Sequence, residues 1–207
     1  TLATGETIAA GAEHVYTVTV LASIDQAAWT SNETLQCVSA EVPEAGGFLN
    51  TATLTNNGQD STRFDCSEPA LPTIVKDATG AVQDPVDATK WLVSYVVRVT
   101  SGGIDTFYDL ADTPDFPSEI SLISGTAQRT DVTSPEQAIT TGTKFVVDQP
   151  LLKGETHTYR VTWLVDVADS YEPEQKGEAD HGFFNSARLT VGEVNQDEDA
   201  CIPVTPR

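Results

Sequence analysis

Apolar and polar residues alternate along much of this chain with a period of two. The alternation is clear in six segments, which are residues 14–20, 49–55, 91–99, 143–148, 156–167 and 184–191. Successive side chains of a β-strand point to opposite faces of its sheet, so this period predicts strands that are buried on one side. No window has the 3.6-residue period of an amphipathic helix. We therefore predict an all-β protein.

The chain also contains an internal repeat. Residues 11–19 and 154–162 share Gly, His, Tyr, Val and Thr at the same spacing, and residues 48–55 and 183–190 share Phe, Asn, Ala, Leu and Thr. The offset is 154 − 11 = 143 residues for the first pair of blocks and 183 − 48 = 135 for the second. The first copy therefore has an insertion, which we place in a loop at residues 23–47 because loops absorb insertions at little cost.

The matched blocks define two domains of unequal completeness. Residues 72–142 have no counterpart in the first copy. We predict that residues 1–70 are the C-terminal half of one repeat and residues 71–207 a complete one, as expected of a segment from a longer array. Short strands separated by turn signals such as Asn57-Gly58 and Lys153-Gly154 are typical of antiparallel sandwiches. The predicted fold is a tandem array of Ig-like antiparallel β-sandwich repeats.

The charge of the chain excludes several functions. Acidic residues outnumber basic ones by 31 to 11, which gives a formal net charge of −20. Such a surface repels phosphate backbones and anionic lipids, so we expect no nucleic-acid partner. No run of about 18 to 20 apolar residues is present, so we expect no membrane insertion. The many carboxylates could instead provide oxygen ligands for calcium.

The order of short motifs in the second unit resembles a known family. The motifs are TIVK at 73–76, WLVSYVVRVT at 91–100, FYDLADTP at 107–114, LLKGETHTY at 151–159 and FNSA at 184–187. In this order they resemble the surface-repeat domain of unknown function that occurs in tandem in large bacterial, particularly actinobacterial, wall and secreted proteins. That family is related to the Cna-B-like stalk domains of Gram-positive adhesins and pilins. The resemblance implies an extracellular spacer that projects a binding tip from the cell.

The resemblance further implies a candidate covalent cross-link. Stalk domains of the related families can carry an internal isopeptide bond between Lys and Asn, promoted by a buried acid. The matching residues are Lys76 in the first strand, Asn185 in what we expect to be the last strand, and Asp112, with Asp109 as the second choice for the acid. Burial favours the neutral amine and protonated acid that the reaction needs. The competing interpretation is an exposed Lys76 and an Asn185 hydrogen-bonded to a turn.

The three cysteines predict one disulfide in an exported protein. Cys37 and Cys66 belong to the same unit and flank the strand at 49–55, so they are the natural pair. Cys201 is the repeat equivalent of Cys66, but residues 171–181, where its partner would lie, contain no cysteine. We expect Cys201 to be either a buried thiol outside any disulfide or a link between two chains.

Two further candidate sites are weaker. Asp197, Glu198 and Asp199 are the best candidate calcium ligands because calcium often stiffens repeat linkers, although they lack the spacing of an EF-hand loop. A solvated acidic loop is the competing interpretation. Trp29, in the predicted loop at 23–47, is a candidate ligand contact: an exposed Trp would favour sugar binding, and a buried one would favour a plain spacer.

Three functions fit these patterns. The leading hypothesis is a structural stalk or spacer module of a secreted or cell-surface protein, such as an adhesin, a pilus-like fibre or an extracellular filament. The second is a module that binds a glycan or a host protein through the loops at 23–47 and 112–139. The third is a strand-complemented filament subunit, because half a sandwich leaves strand edges open. No nucleophile elbow, zinc-protease motif or phosphate loop is present, so we predict no enzyme activity.

Overall fold

The computed structural model describes residues 1–22, 24–25, 36–37, 47–168 and 182–204. Within these residues the chain forms eleven strands and no helix. The strands are β1 (Phe48–Asn56), β2 (Gln59–Ser67), β3 (Thr73–Gln83), β4 (Lys90–Thr100), β5 (Thr106–Pro114), β6 (Ile120–Arg129), β7 (Gln137–Ile139), β8 (Lys144–Leu151), β9 (Thr156–Val167), β10 (Phe183–Val191) and β11 (Val194–Ile202). The prediction of an all-β protein is confirmed.

Strands β3 to β11 form an antiparallel β-sandwich. One sheet has five strands in the order β3-β4-β9-β6-β7, and the other has four in the order β11-β10-β5-β8. Every neighbouring pair in both sheets is antiparallel. The predicted antiparallel sandwich is therefore the fold of residues 73–202, while the division of the chain into two repeat units stays a prediction.

Strand β9 shows why these sequences form a sandwich. Its buried residues alternate with more exposed ones, and the buried set is His157, Tyr159, Val161, Trp163, Val165 and Val167. Burial of one large apolar side chain contributes about 1.5–3 kcal/mol to stability. Strand β9 gains this contribution on the face that covers the core, while its other face carries mainly polar residues. The predicted segment at 156–167 coincides with β9, and the segments at 91–99, 143–148 and 184–191 each lie mainly within a strand of the sandwich.

Two predictions about individual elements are wrong. Residues 14–20 alternate like β9 but form no strand, and their apolar side chains, among them Val15 at 79% exposed, face solvent. Alternation alone cannot form a strand when no neighbouring strand supplies hydrogen-bond partners. The stretch at 112–139 is not a long loop, because the end of β5 and all of β6 and β7 lie within it. Much of β6 is exposed, which weakens the alternation that would have revealed it.

A short connection joins the sandwich to a separate hairpin. Strand β2 ends at Ser67, so only residues 68–72 connect β2 to β3. Strands β1 and β2 form a separate two-stranded sheet, and most of their residues are exposed. The first unit therefore presents one hairpin without a covering sheet in the described part of the chain.

Candidate functional site: a buried lysine, aspartate and asparagine

Three strands place Lys76, Asp112 and Asn185 on inward-facing positions of the sandwich. Lys76 follows the buried Ile74 by two residues on β3, and Asp112 follows the buried Leu110 by two on β5. Asn185 lies on β10, which is the penultimate strand of the unit rather than the predicted last one. The period of two thus turns all three polar side chains into the core.

The pairing of β5 with β10 brings two members of this group together. Asp112 lies opposite Ala187, and Asn185, two residues away on the same face, lies opposite Pro114. Such a diagonal neighbour across an antiparallel pair is within reach of a side chain. Lys76 comes from the edge strand of the other sheet, so the site bridges the two layers of the sandwich.

The carboxylate of Asp112 is the centre of the site. Its Oδ2 accepts a hydrogen bond from Lys76 Nζ, and its Oδ1 accepts from Asn185 Nδ2 at 2.7 Å and from Trp163 Nε1 at 2.7 Å. The side chains of Lys76 and Asp112 are both 0% exposed. The competing interpretation of an exposed Lys76, with Asn185 bonded to a turn, is therefore wrong.

Burial changes the acid–base properties of the lysine. Removal of the ammonium from water lowers the pKa of Lys76, and the nearby charge and hydrogen bond of Asp112 oppose this shift without cancelling it. Lys76 Nζ also lies 5.0 Å from the centre of the Tyr95 ring. A lowered pKa increases the fraction of neutral amine, and the neutral amine is the nucleophilic form of lysine.

The amide oxygen of Asn185 has no hydrogen-bond partner in the described structure. Asn185 is 0% exposed, so bulk solvent does not reach this atom. A buried polar atom left unsatisfied costs about 1–3 kcal/mol. The amide of Asn185 therefore donates a hydrogen bond through its nitrogen, but its oxygen accepts none within the described structure.

Two neighbours of the site were missed by the sequence analysis. Trp163 on β9 donates to Asp112, and Tyr95 on β4 donates its hydroxyl to the carbonyl oxygen of Phe183 at 2.5 Å. The second bond fixes the backbone two residues before Asn185. Both residues lie on inward positions of strongly alternating strands. A buried Trp or Tyr needs a polar partner, so these two positions could have indicated a polar group in the core.

Asp109, the second choice for the acid, lies elsewhere. Its carboxylate accepts from Lys144 Nζ at 2.5 Å and from the backbone N–H of Asp148 at 2.8 Å. Asp109 precedes Asp112 by three positions, so the two side chains leave β5 on opposite faces. The structure thus selects Asp112 as the acid beside Lys76.

The cysteine predictions have mixed outcomes. Cys37 and Cys66 form the predicted disulfide. Cys201 lies outside it, on β11, and is exposed, so the expected buried thiol is wrong, while the link between two chains stays a prediction. Its position near the end of an edge strand explains the exposure, because that side of β11 faces away from the core.

The acidic triplet does not converge into a metal site. Asp197, Glu198 and Asp199 are consecutive on β11, so their side chains alternate between the two faces of the strand. The carboxylate of Asp197 is engaged by Arg188 at 2.7 and 2.9 Å. Among the described residues no group of three potential ligands is arranged to hold a metal ion. Trp29 and most of the loop at 23–47 lie outside the described residues.

Comparisons with known proteins give remote structural similarity and no sequence match. No protein-family model matches the chain, and no curated protein matches it. Among solved structures, it is similar to the crystal structure of the collagen binding domain of Erysipelothrix rhusiopathiae surface protein RspB, with 11% sequence identity and a TM-score of 0.28. The match covers 75% of this chain and 60% of that one, so the chain spans less than two thirds of that domain. A likeness this remote identifies neither a family nor a ligand.

The described residues contain no helix with the length and apolar character needed to cross a membrane.

Proposed function

We propose that this chain is a structural module of a secreted or cell-surface protein, cross-linked internally by an isopeptide bond between Lys76 and Asn185. One observation carries the proposal. A lysine, an aspartate and an asparagine from three strands meet in a core that excludes water, with Asp112 hydrogen-bonded to both of the others. The order of motifs in the second unit led to the same three residues.

The proposed reaction needs only these side chains. The neutral amine of Lys76 attacks Cγ of Asn185, the new C–N bond replaces the bond from Cγ to Nδ2, and the amide nitrogen leaves as ammonia. Asp112 contacts both the attacking and the departing nitrogen, so it can carry a proton from one to the other.

The competing function of this trio is a purely structural ion pair. An ion pair of Lys76 and Asp112 would need its remaining hydrogen-bonding capacity satisfied, because burial of two charges costs several kcal/mol per ion. Trp163 and Asn185 satisfy part of the carboxylate, but the Asn185 oxygen is left without a partner. An isopeptide bond, which uses the side-chain amide of Asn185, would explain why an asparagine occupies this buried position.

The type of structural module can be proposed from the same features. We propose that the module is a spacer of a tandem surface-repeat protein, of the kind found in bacterial wall and secreted proteins. The Cys37–Cys66 disulfide supports an extracellular location, since disulfides persist in oxidising compartments. The reaction occurs once in each chain and turns over no substrate, which is why we propose a structural rather than an enzymatic role.

Intact mass spectrometry of the purified chain tests this proposal. We expect the chain, after reduction of its disulfide, to be lighter than its sequence mass by one ammonia molecule. Lys76→Arg, Asp112→Ala and Asn185→Ala should each restore the full sequence mass of the variant. Lys144→Arg and Asp109→Ala are matched controls, because Lys144 and Asp109 also form an ion pair between two strands but lie outside the core. Both control variants should still lose one ammonia molecule. An unshifted mass for the parent chain would overturn the proposal.

A further inference from the structure

The hairpin of the first unit is a structural copy of the hairpin that carries Asn185. Strands β1 and β2 have nine residues each, as do β10 and β11. Their registers match at an offset of 135 residues, because Asn50 pairs with Asp65 as Asn185 pairs with Ala200. The hairpins therefore coincide residue by residue, with Asn50 in the place of Asn185.

The same correspondence extends to the residue before each hairpin. A Cβ on Gly47 would lie 2.9 Å from Ser67 O and 3.0 Å from Cys66 Sγ. A Cβ on Gly182 would lie 2.7 Å from Ile202 O and 3.3 Å from Cys201 Sγ. Both glycines also have positive φ, so the chain enters the two hairpins in a similar way.

Strand β1 retains the inward-facing residues of β10, although no other part of the described chain covers them. The inward set of β10 includes Phe183, Asn185, Ala187 and Leu189, and the matching residues of β1 are Phe48, Asn50, Ala52 and Leu54. In β1 these residues are exposed, with Leu54 at 68%. Apolar residues at these positions do not stabilise a hairpin that stands alone, because they stay in contact with water. This face of β1 is therefore suited to packing against another polypeptide segment.

The second unit shows what covers such a face. There the equivalent strand pairs with β5 and packs against β3 and β4 of the opposite sheet. The occupant of the β1 face is therefore a polypeptide segment with the strand pattern of residues 73–151, with a lysine on its first strand and an aspartate on its third. Residues 11–19, which match part of β9, would complete the five-stranded sheet.

We infer that Asn50 is the amide acceptor of a second isopeptide bond, formed with the lysine of such a segment. This inference rests on the proposed function, because it extends the same chemistry to an equivalent position. The lysine nitrogen would bond to Cγ of Asn50, and Nδ2 would leave as ammonia. Residues 1–67 are then the acceptor part of a second cross-linked sandwich.

The acceptor part differs from the second unit at one position near the chemistry. At the offset of residues 11–19, Val20 stands where Trp163 stands in β9. The aspartate of the completed site would therefore lack an indole donor. We expect a slower reaction than at Asn185, and the Val20→Trp variant should restore the donor and accelerate it.

A chain extended with its own donor segment tests the inference. A second copy of residues 71–152 is fused ahead of Ala10 in place of residues 1–9, so that the fusion follows the alignment of Gly11 with Gly154. We expect the intact mass to fall by two ammonia molecules, against one for the parent chain. Asn50→Ala should abolish only the second loss and Asn185→Ala only the first, while Asn56→Ala, at the end of the same strand, should keep both.

The outcomes separate the two claims. If only one ammonia is lost both in the extended chain and in its Val20→Trp variant, the inference about Asn50 is overturned while the cross-link of the second unit stands. If no ammonia is lost in any chain, the proposed function itself fails. A covalent dimer of the unextended chain that depends on Asn50 would overturn the choice of occupant, since a second copy would then supply the lysine.

Discussion

At the scale of single residues, Trp163 positions the acid of the site. Its indole N–H donates to Asp112 Oδ1, and its ring packs directly over Gly125, where any Cβ would overlap it. Trp163→Phe keeps most of the ring but removes the donor. We expect slower loss of ammonia after the newly synthesised chain first folds, and a loss of about 1–2 kcal/mol of stability. Trp91→Phe is the control, because the indole N–H that it removes has no hydrogen-bond partner in the described structure. This variant should leave the rate of ammonia loss unchanged.

The rate of ammonia loss distinguishes positioning from general stabilisation. If Trp163→Phe lowers the stability but leaves the time course of the mass change as in the parent chain, the indole has no part in the reaction.

His157 should make the sandwich sensitive to acid. Burial lowers the pKa of His157 below its ordinary value of 6.5, and its Nδ1 lies 2.8 Å from the hydroxyl of Tyr108. The unfolded chain then binds a proton more readily than the folded one. The free energy of unfolding should therefore fall as the pH drops through 6.5 towards the lowered pKa, and the contribution is fully present above 6.5.

Urea denaturation at about pH 8 and about pH 5 measures this dependence. His157→Gln should reduce the difference between the two conditions. His14→Gln changes the equivalent but exposed residue of the first unit and should leave the difference as it is. An unchanged pH dependence in His157→Gln would show that other groups cause the acid sensitivity.

At the scale of elements, strands with uninterrupted alternation could be predicted and the others could not. The bounds of β9 were predicted because every inward position is apolar, aromatic or His157. Strand β5 was not, because its inward positions include Thr106 and Asp112, which break the apolar pattern. Strand β11 was not predicted either, because its consecutive acidic residues hide the alternation, although edge strands tolerate charge because one side remains in water.

The site could be predicted only in part, for a related reason. Lys76, Asp112 and Asn185 were found through the order of motifs around them, since a buried polar residue on a strand looks like an exposed one in the sequence. Their convergence depends on the register of β5 with β10 and on the packing of two sheets, which alternation does not encode. Trp163 and Tyr95 were missed because their polar atoms bond across this tertiary arrangement.

The disulfide should stabilise the first unit and not the sandwich. It joins Cys37 to Cys66 on β2, with 29 residues of separation, and such a link is worth about 3 kcal/mol. Reduction should lower the hydrogen-exchange protection of β1 and β2 while β9 and β10 keep theirs. Cys201→Ser should respond to reductant in the same way as the parent chain. Equal loss of protection in β9 would contradict this division.

At the scale of the whole molecule, the proposed bond would govern how the chain bears force. Lys76 lies near the start of the second unit and Asn185 near its end, so a bond between them encloses nearly the whole sandwich. It also links the edge strand of one sheet to a strand of the other. Tension applied to the two ends would then pass through the covalent bond, and residues 77–184 could not be extended. This property suits a spacer that must hold its length outside the cell.

The most direct test of the cross-link is to locate it in the chain. Proteolysis of the unfolded parent protein followed by tandem mass spectrometry should yield a branched peptide that joins the segment around Lys76 to the segment around Asn185. Trypsin should fail to cut after Lys76, because its amine is acylated, and should still cut after Lys90. Separate linear peptides, with an intact Asn185 amide and cleavage after Lys76, would contradict the cross-link.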